Sequence, residues 1–292
     1  MYDKIKKRIP SPLRSLLKPW YQSWHFRTFI GRQLVPIYND EVQFFLELDR
    51  KNGAVDEYIF IHRNWELQVG QVLHEQLQPG GVFVDVGANI GYFSLLAATL
   101  VGESGRVIAF EPLPRLVGQI RRSAVHNHYQ WLKVVPKALG DVAGSMELVL
   151  SAHNIGGSSL VTPNRIGERV TVEVSTLDFE LADLERIDVI KIDVEGFEYE
   201  MLQGAQQTLE RCRPTLVLEF SPHFYKERST TMETEILTLL RQLGYTFTIL
   251  QTGKTADDID TLLTLIKGEQ VDLLCTITKE EKEQADEQEH KS

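Results

Sequence analysis

The sequence predicts an α/β protein built on a mostly parallel, doubly wound sheet with helices on both faces. Three observations carry that reading. Short apolar runs of strand length alternate with helix-like segments from Val82 to Phe220, the pattern of strands buried on both faces and joined by crossover helices. The first run closes in a glycine-rich turn, Asp85-Val86-Gly87-Ala88-Asn89-Ile90-Gly91. The next run closes in an acid, Glu111, roughly 20 residues beyond the turn, where this fold places a ribose-binding carboxylate.

Composition sets limits before any motif is read. With 292 residues the chain can bury a full core. A formal charge of −10 argues against nucleic acid as a partner, which demands a basic footprint. Cys212 and Cys275 lie far apart without metal-ligand spacing and fit a reducing compartment as buried hydrophobes. No run reaches the roughly 20 apolar residues of a spanning helix, and Pro10, Pro12 and Arg14 interrupt any signal-peptide core. The expectation is a cytoplasmic protein.

From Met1 to Ile30, Lys4, Lys6, Lys7, Arg8, Arg14, Lys18 and Arg27 interleave with Leu13, Leu16, Leu17, Trp20, Trp24 and Phe26. That mixture suits peripheral contact with the inner face of a membrane, or a helix packing its aromatic side on the main domain or a partner subunit. Val35 to Leu48 reads as short strands, and Asn52-Gly53 as a turn or helix entry. Glu57 to Leu77 reads as one helix with Trp65 and Glu66 in its middle, Trp65 packing and Glu66 solvated, with contact to the ligand as the alternative for Glu66. Pro79-Gly80-Gly81 stops it before the strand Val82 to Val86.

The turn after that strand lets backbone amides approach a ligand and aims a helix N-terminus at it. Its spacing is Asp-x-Gly-x-Asn-x-Gly rather than the Gly-x-Gly-x-x-Gly of nicotinamide and flavin proteins. Asp85 would repel a pyrophosphate and suits a cationic ligand such as an amino acid's ammonium, which points to S-adenosylmethionine; the alternative is an ordinary βα turn. Tyr92 to Leu100 follows as a helix, then the strand Val107 to Phe110, the helix Pro114 to Asn127 and the strand Trp131 to Pro136. Leu139, just beyond, takes the position beside the adenine of such a ligand. Met146 to Leu150 and Val170 to Val174 read as a hairpin around a long polar loop. His153, Asn154 and Ser158 of that loop are candidates to close over substrate.

Val189 to Ile192 delivers Lys191-Ile192-Asp193-Val194-Glu195-Gly196-Phe197-Glu198. Carboxylates crowded at a strand's C-terminal edge are unfavourable unless something cationic or proton-bearing lies among them, and that edge is where open α/β sheets bind ligands. Glu198 suits a helix N-terminus; Asp193 does not. Glu200 to Arg211 is the next helix, Thr215 to Phe220 the fifth strand, and Glu233 to Leu243 a helix closed by Gly244. Tyr245 to Leu250 and Val271 to Thr278 form a last strand pair with an antiparallel member, and Lys279 to Ser292 is a charged tail.

The set VDVGANIGYFS, AFEP, VIKIDVEGFEYEMLQGA and LVLEF resembles the FkbM family of S-adenosylmethionine-dependent methyltransferases over about Gly53 to Leu250. The resemblance implies a Rossmann-like class I methyltransferase domain with a seven-stranded sheet. It also implies S-adenosyl-L-methionine contacts at Asp85, Gly87, Asn89, Gly91 and Glu111, and a hydroxyl on a sugar, glycolipid or secondary metabolite as acceptor. The chain then divides into a basic, aromatic extension with short strands (1–52), a methyltransferase domain (53–278) and the tail (279–292). Transfer from a sulfonium needs an acceptor oxygen held in line and relieved of its proton. Asp193 is the first candidate base, with Glu195 and His223 as alternatives. The acids leave a magnesium-assisted mechanism open without singling out a set of metal ligands. An inactive cofactor-fold scaffold and an N-methyltransferase are the competing readings, and a nicotinamide oxidoreductase loses on the glycine spacing.

Overall fold

The computed structural model describes residues 26, 31–39, 42–150 and 168–277. The chain opens on an antiparallel hairpin, β1 (Arg32–Asn39) and β2 (Val42–Asp49). Alternation along it buries Val35, Ile37, Phe44, Leu46 and Leu48. The hairpin is fastened to a helix further on, α4 (Pro114–His126). Glu47 N donates to Ser123 Oγ at 2.9 Å, Phe45 N donates to Asn127 Oδ1 at 2.7 Å, and Arg122 clamps the Glu47 carboxylate through two nitrogens. Its apolar face joins the core formed by α3 (Tyr92–Val101) and α4, so packing runs without a break across residues 52 and 53.

Where the sequence predicts one helix over Glu57 to Leu77, the structure has two, α1 (Ala54–His62) and α2 (Leu67–Gln76). Arg63 adopts φ +63° and caps α1 by donating to Ile59 O, and Glu66 adopts φ +37°. Left-handed residues end a helix because the next amide turns away from its i−4 carbonyl.

The main sheet contains β3 (Val82–Val86), β4 (Arg106–Phe110), β5 (Leu132–Val135), β9 (Val189–Ile192), β10 (Thr215–Phe220), β11 (Thr246–Ile249), β12 (Lys254–Thr255) and β13 (Val271–Thr276). The order is β12-β11-β13-β10-β9-β3-β4-β5. The pairs from β10 to β5 are parallel, and β13 runs antiparallel between β10 and β11. Seven of these strands are the expected ones. The eighth, β12, is a two-residue edge addition, followed by an unexpected helix, α10 (Ile259–Ile266), capped by the Asp258 carboxylate on Thr261 N at 2.8 Å.

The period-2 alternation sends Phe83, Val107, Val189 and Val217 to one face, against α3, α4 and the hairpin. Val84, Val86, Ile108, Ile190, Leu216 and Leu218 go to the other. There they meet α5 (Leu177–Glu180), α6 (Glu198–Gln203), α7 (Gln206–Cys212), α8 (Pro222–Lys226) and α9 (Met232–Gln242). A small second sheet holds β6 (Ala138–Leu139), β7 (Gly144–Val149) and β8 (Arg169–Ser175), the last two forming the expected hairpin. Its loop, with His153, Asn154 and Ser158, lies outside the described residues, as do the tail and the basic positions of the N-terminal segment. From that segment Phe26 is described; it is buried, its ring 5.4 Å from that of Phe60. No helix among the described residues is long and apolar enough to cross a membrane.

Candidate active site at the strand ends

The C-terminal edge of the sheet divides between its two central strands. On the β3 side, Asp85 is 1% exposed. Its Oδ2 accepts from Ser94 Oγ at 2.5 Å, which ties β3 to the first turn of α3. Its Oδ1 has no partner among the described residues. Burial pushes its pKa up against the pull of the nearby Lys191 ammonium.

The glycines of the turn have a packing reason to be glycine. Gly87 has φ +79°, and a Cβ there would stand 1.8 Å from the Asp193 carbonyl oxygen, so β3 and β9 meet only through a bare backbone. Gly91 is the N-cap of α3. The turn amides are also spent internally. Gly87 N and Ala88 N donate to Phe110 O, Asn89 N donates to Glu111 Oε2 at 2.9 Å, and Gly91 N donates to Ala88 O. The sequence suggests amides aimed at a ligand; at Gly87, Ala88, Asn89 and Gly91 the structure turns them inward. What the turn organises is the Glu111 carboxylate, through the amide of Asn89.

Glu111 sits at the end of β4, 5% exposed. Its second oxygen, Oε1, accepts from Leu113 N at 2.9 Å. Burial pushes its pKa up to about 8, with the two backbone donors opposing that rise. Each carboxylate oxygen retains a further lone pair for a hydroxyl. Leu139 is 1% exposed within the hydrophobic core, so its side chain offers no surface to an adenine and any contact falls to its main chain.

On the β9 side a residue unassigned from sequence dominates. Lys191 faces Asp85 directly in the β3–β9 register. Its Nζ lies 2.8 Å from Asp193 Oδ2 and 5.3 Å from the centre of the Phe93 ring. Burial disfavours its charge, but Asp193, Asp85 and Glu66 outweigh that and hold the ammonium protonated. Glu66 itself is not a solvated helix residue. It stands in the break between α1 and α2, where burial raises its pKa to about 7 despite Lys191. Trp65 beside it lines a cavity at the strand ends together with Asp85, Gly87, Asn89, Lys191 and Asp193.

Beyond β9 the chain turns through Glu195, at φ +52°, and Gly196. One oxygen each of Asp193, Glu195 and Glu219 lies within 4.8 Å of the others. Glu219 is contributed by β10, on the face of its strand shared with Lys191 and Asp85. Burial, then Asp193 and Glu195, push its pKa well above the ordinary carboxylate value. Glu198 is fully buried, and its Oε1 accepts from Val194 N and Gly196 N at 3.2 and 3.1 Å. It is the brace of the turn, as its place at the start of α6 predicts. His223 is exposed on α8, with its ring 4.1 Å from that of Phe224, and the acid cluster does not include it.

Sequence reasoning passed over Lys191 and Glu219, and set Glu66 as a ligand contact behind its reading as a solvated helix residue. The first two carried a readable signal, a charge placed inside an apolar strand, since a buried ion persists only with partners. Glu66 carried none, because the helix break that delivers it is a tertiary outcome.

The FkbM methyltransferase domain model matches residues 85–247 of this chain. Methyltransferase sdnD of Sordaria araneosa is 30% identical over 172 residues, covering 48% of this chain and 66% of sdnD. Hexuronic acid methyltransferase AglP of Haloferax volcanii is 25% identical over 153 residues, covering 52% of this chain and 61% of AglP. The matches to these two thus span about two-thirds of their length or less. The crystal structure of methyltransferase FkbM from Methylobacillus flagellatus superposes with a TM-score of 0.41 at 17% identity, covering 77% of this chain and 56% of that one. With the domain model matched over more than half its length, the chain belongs to the FkbM methyltransferase family, whose methyl donor is S-adenosyl-L-methionine.

Proposed function

We propose that the protein transfers a methyl group from S-adenosyl-L-methionine to a hydroxyl oxygen of a small-molecule or glycan acceptor, a sugar, glycolipid or secondary metabolite. The observation that carries this reading is the cavity shared by Asp85, Asn89 and Asp193, where the cofactor-side turn meets a carboxylate that reaches outward. A sugar acceptor agrees with the hexuronic acid in the name of AglP.

The donor brings the electrophilic carbon, so the chain's own work is binding, orientation and proton removal. Glu111, fixed by two backbone donors, is set to accept from the ribose hydroxyls. Asp85, buried beside the start of α3, faces the cationic amino-acid end of the donor. Asp193 is partly exposed and held from behind by Lys191, which leaves its other oxygen to take the acceptor's proton as the oxygen attacks the methyl. Glu195 lies near enough to share that duty.

The test is a split between two variants. Asp85→Ala should abolish cofactor binding measured by calorimetry. Asp193→Asn should lower transfer of labelled methyl to extract fractions by roughly 10²- to 10⁴-fold, the usual contribution of a general base, with far less change in cofactor affinity. Equal loss of cofactor affinity in both variants would sink the division of roles.

A further inference from the structure

The break between α1 and α2 does more than end a helix. It shapes a hollow of about 300 Å³ lined by Tyr58, Asn64, Trp65, Glu66, Leu67 and Gln68, at the small end of ligand sites. Tyr58 and Leu67 are 44% and 57% exposed, so aromatic and aliphatic surface lies open beside the amides of Asn64 and Gln68. The two aromatic rings brace one another. Tyr58 packs on His62, with ring centres 4.2 Å apart, and on Trp65, 5.4 Å away and nearly perpendicular. The Trp65 side chain in turn donates to the Glu66 carboxylate. Aromatics held in this way give contact area at little cost in conformational entropy.

The hollow adjoins the reacting end of the cavity. Trp65 lines both the hollow and the space that holds Asp85, Lys191 and Asp193. Glu66 lies close enough to Lys191 and Asp193 to feel both charges. A molecule seated against Trp65 therefore lies near the carboxylate assigned to proton removal.

The lining discriminates among ligand chemistries. A purely apolar ligand would strip water from Asn64, Gln68 and Glu66 without replacing its hydrogen bonds. An anion would meet the Glu66 carboxylate, and no cation is among the described residues that line the hollow. A cation would compete for Glu66 with the Lys191 ammonium, whose field that carboxyl already occupies. A neutral sugar ring meets every demand. Its hydroxyls pair with the amides and the carboxylate, and its weakly positive C–H face rests on the negative face of an aromatic ring.

We infer that this hollow is the subsite for the ring of the acceptor, and that the ring is an uncharged pyranose packed against Trp65 and Tyr58. That the bound ring is the one methylated rests on the methyl-transfer reading; its binding here does not.

The experiment is saturation-transfer NMR on the full chain, with and without S-adenosyl-L-homocysteine. The probes are the methyl glycosides of glucose, galactose and mannose, each paired with its uronic acid. At least one neutral glycoside should receive saturation at its ring C–H protons and bind roughly threefold or more tighter than its uronic acid, since like charges oppose one another in the hollow. Trp65→Ala and Tyr58→Ala should each weaken binding by roughly fivefold or more, as loss of an aromatic anchor does, and Trp65→Phe by less. Tyr58→Ala, at an exposed position, keeps the test open if Trp65→Ala fails to fold. Phe179→Ala removes an aromatic that is 75% exposed on α5 and outside the hollow, so binding should stay within about twofold. Glu66→Gln should narrow the preference over the uronic acid to near parity, a readout that a merely structural role would not move. Three outcomes overturn the inference: no neutral glycoside bound, equal binding by the parent and both alanine variants, or equal binding of each glycoside and its uronic acid. Calorimetry with S-adenosyl-L-methionine on the same samples keeps the two readings apart. Cofactor bound without any glycoside sinks the sugar subsite alone, and a glycoside bound without cofactor sinks the methyl-transfer reading alone.

Discussion

The ends of β3 and β4 and the ends of β9 and β10 lie side by side, yet they treat acids in opposite ways. On the first side the acids stand apart, each held singly by donors of the protein: Glu111 by the amides of Asn89 and Leu113, and Asp85 through one oxygen by Ser94. On the second side Asp193, Glu195 and Glu219 face one another, with Lys191 reaching Asp193 alone by a direct bond. The first arrangement fixes its acids before a ligand arrives, with Asp85 Oδ1 the one oxygen there without a donor among the described residues, so it can orient a ligand without reorganising. The second crowds acids against one another, which raises the Glu219 carboxyl well above the ordinary carboxylate range. Lys191 is the joint between them, paired with Asp85 in register and with Asp193 by its ammonium.

Breaking the joint should have the largest effect. Lys191→Met keeps much of the side-chain volume but leaves Asp85 and Asp193 without their common cation. Removing one partner of a buried ion pair typically destabilises by about 3–5 kcal/mol, and urea unfolding should show a loss of that order. A loss under about 1 kcal/mol would mean that the acids take up protons instead, and that the two sides are not joined through Lys191.

Gly87→Ala attacks the same seam through the backbone. A Cβ at φ +79° carries the left-handed penalty of roughly 1–2 kcal/mol, and the Asp193 carbonyl in its path adds an overpacking cost of roughly 1–3 kcal/mol. Gly244→Ala is the matched control. Gly244 has φ +88° with nothing within 4 Å of its added Cβ, so only the conformational penalty applies there. Equal destabilisation of the two variants would mean that β3 and β9 can part at this point without consequence.

A smaller effect should appear in the pH dependence of the cofactor-free protein. Burial raises Glu111 to about 8 and Asp56 and Glu198 to about 7. Each contributes stability that is complete below the unfolded value, about 4, and lost as pH rises through the folded value. Between about pH 4 and 8 the unfolded chain has released these protons while the folded chain keeps them. Stability should therefore fall with rising pH, by up to about 1.4 kcal/mol per unit for each group. Glu111→Gln should flatten the upper part of that slope in melting curves. An unchanged slope would show that Glu111 is ionised throughout and that its two backbone donors outweigh its burial.

Much of this architecture was legible because local pattern and global fold agree. The runs 82–86, 189–192 and 215–220 are apolar on both faces, and the structure buries them on both. The helix α10 was also legible and was missed: Asp258 before an apolar run and Lys267-Gly268 after it are start and stop signals. The break at Arg63–Glu66 was not legible, because no Gly or Pro marks it and the packing of α1 and α2 decides it. The site divides in the same way. Acids at strand ends could be found one by one, but Glu219 joins Asp193 only once β10 is known to lie beside β9.

The smallest predicted effect sharpens the comparison by testing what lies outside it. His223 has the ring chemistry of a general base and follows β10 by three residues, so its position along the chain placed it beside the acids. The structure instead turns it outward from α8, while its neighbour Phe224 packs beneath Gly196, where an added Cβ would meet Phe224 Cβ at 2.8 Å. The helix thus touches the acidic turn through the phenyl ring, and the imidazole only covers that ring. His223→Ala should leave methyl transfer within about threefold of the parent, far from the 10²-fold or greater loss that follows removal of a base. A loss of that larger size, with Asp193→Asn still active, would move the proton from the β9 side to α8.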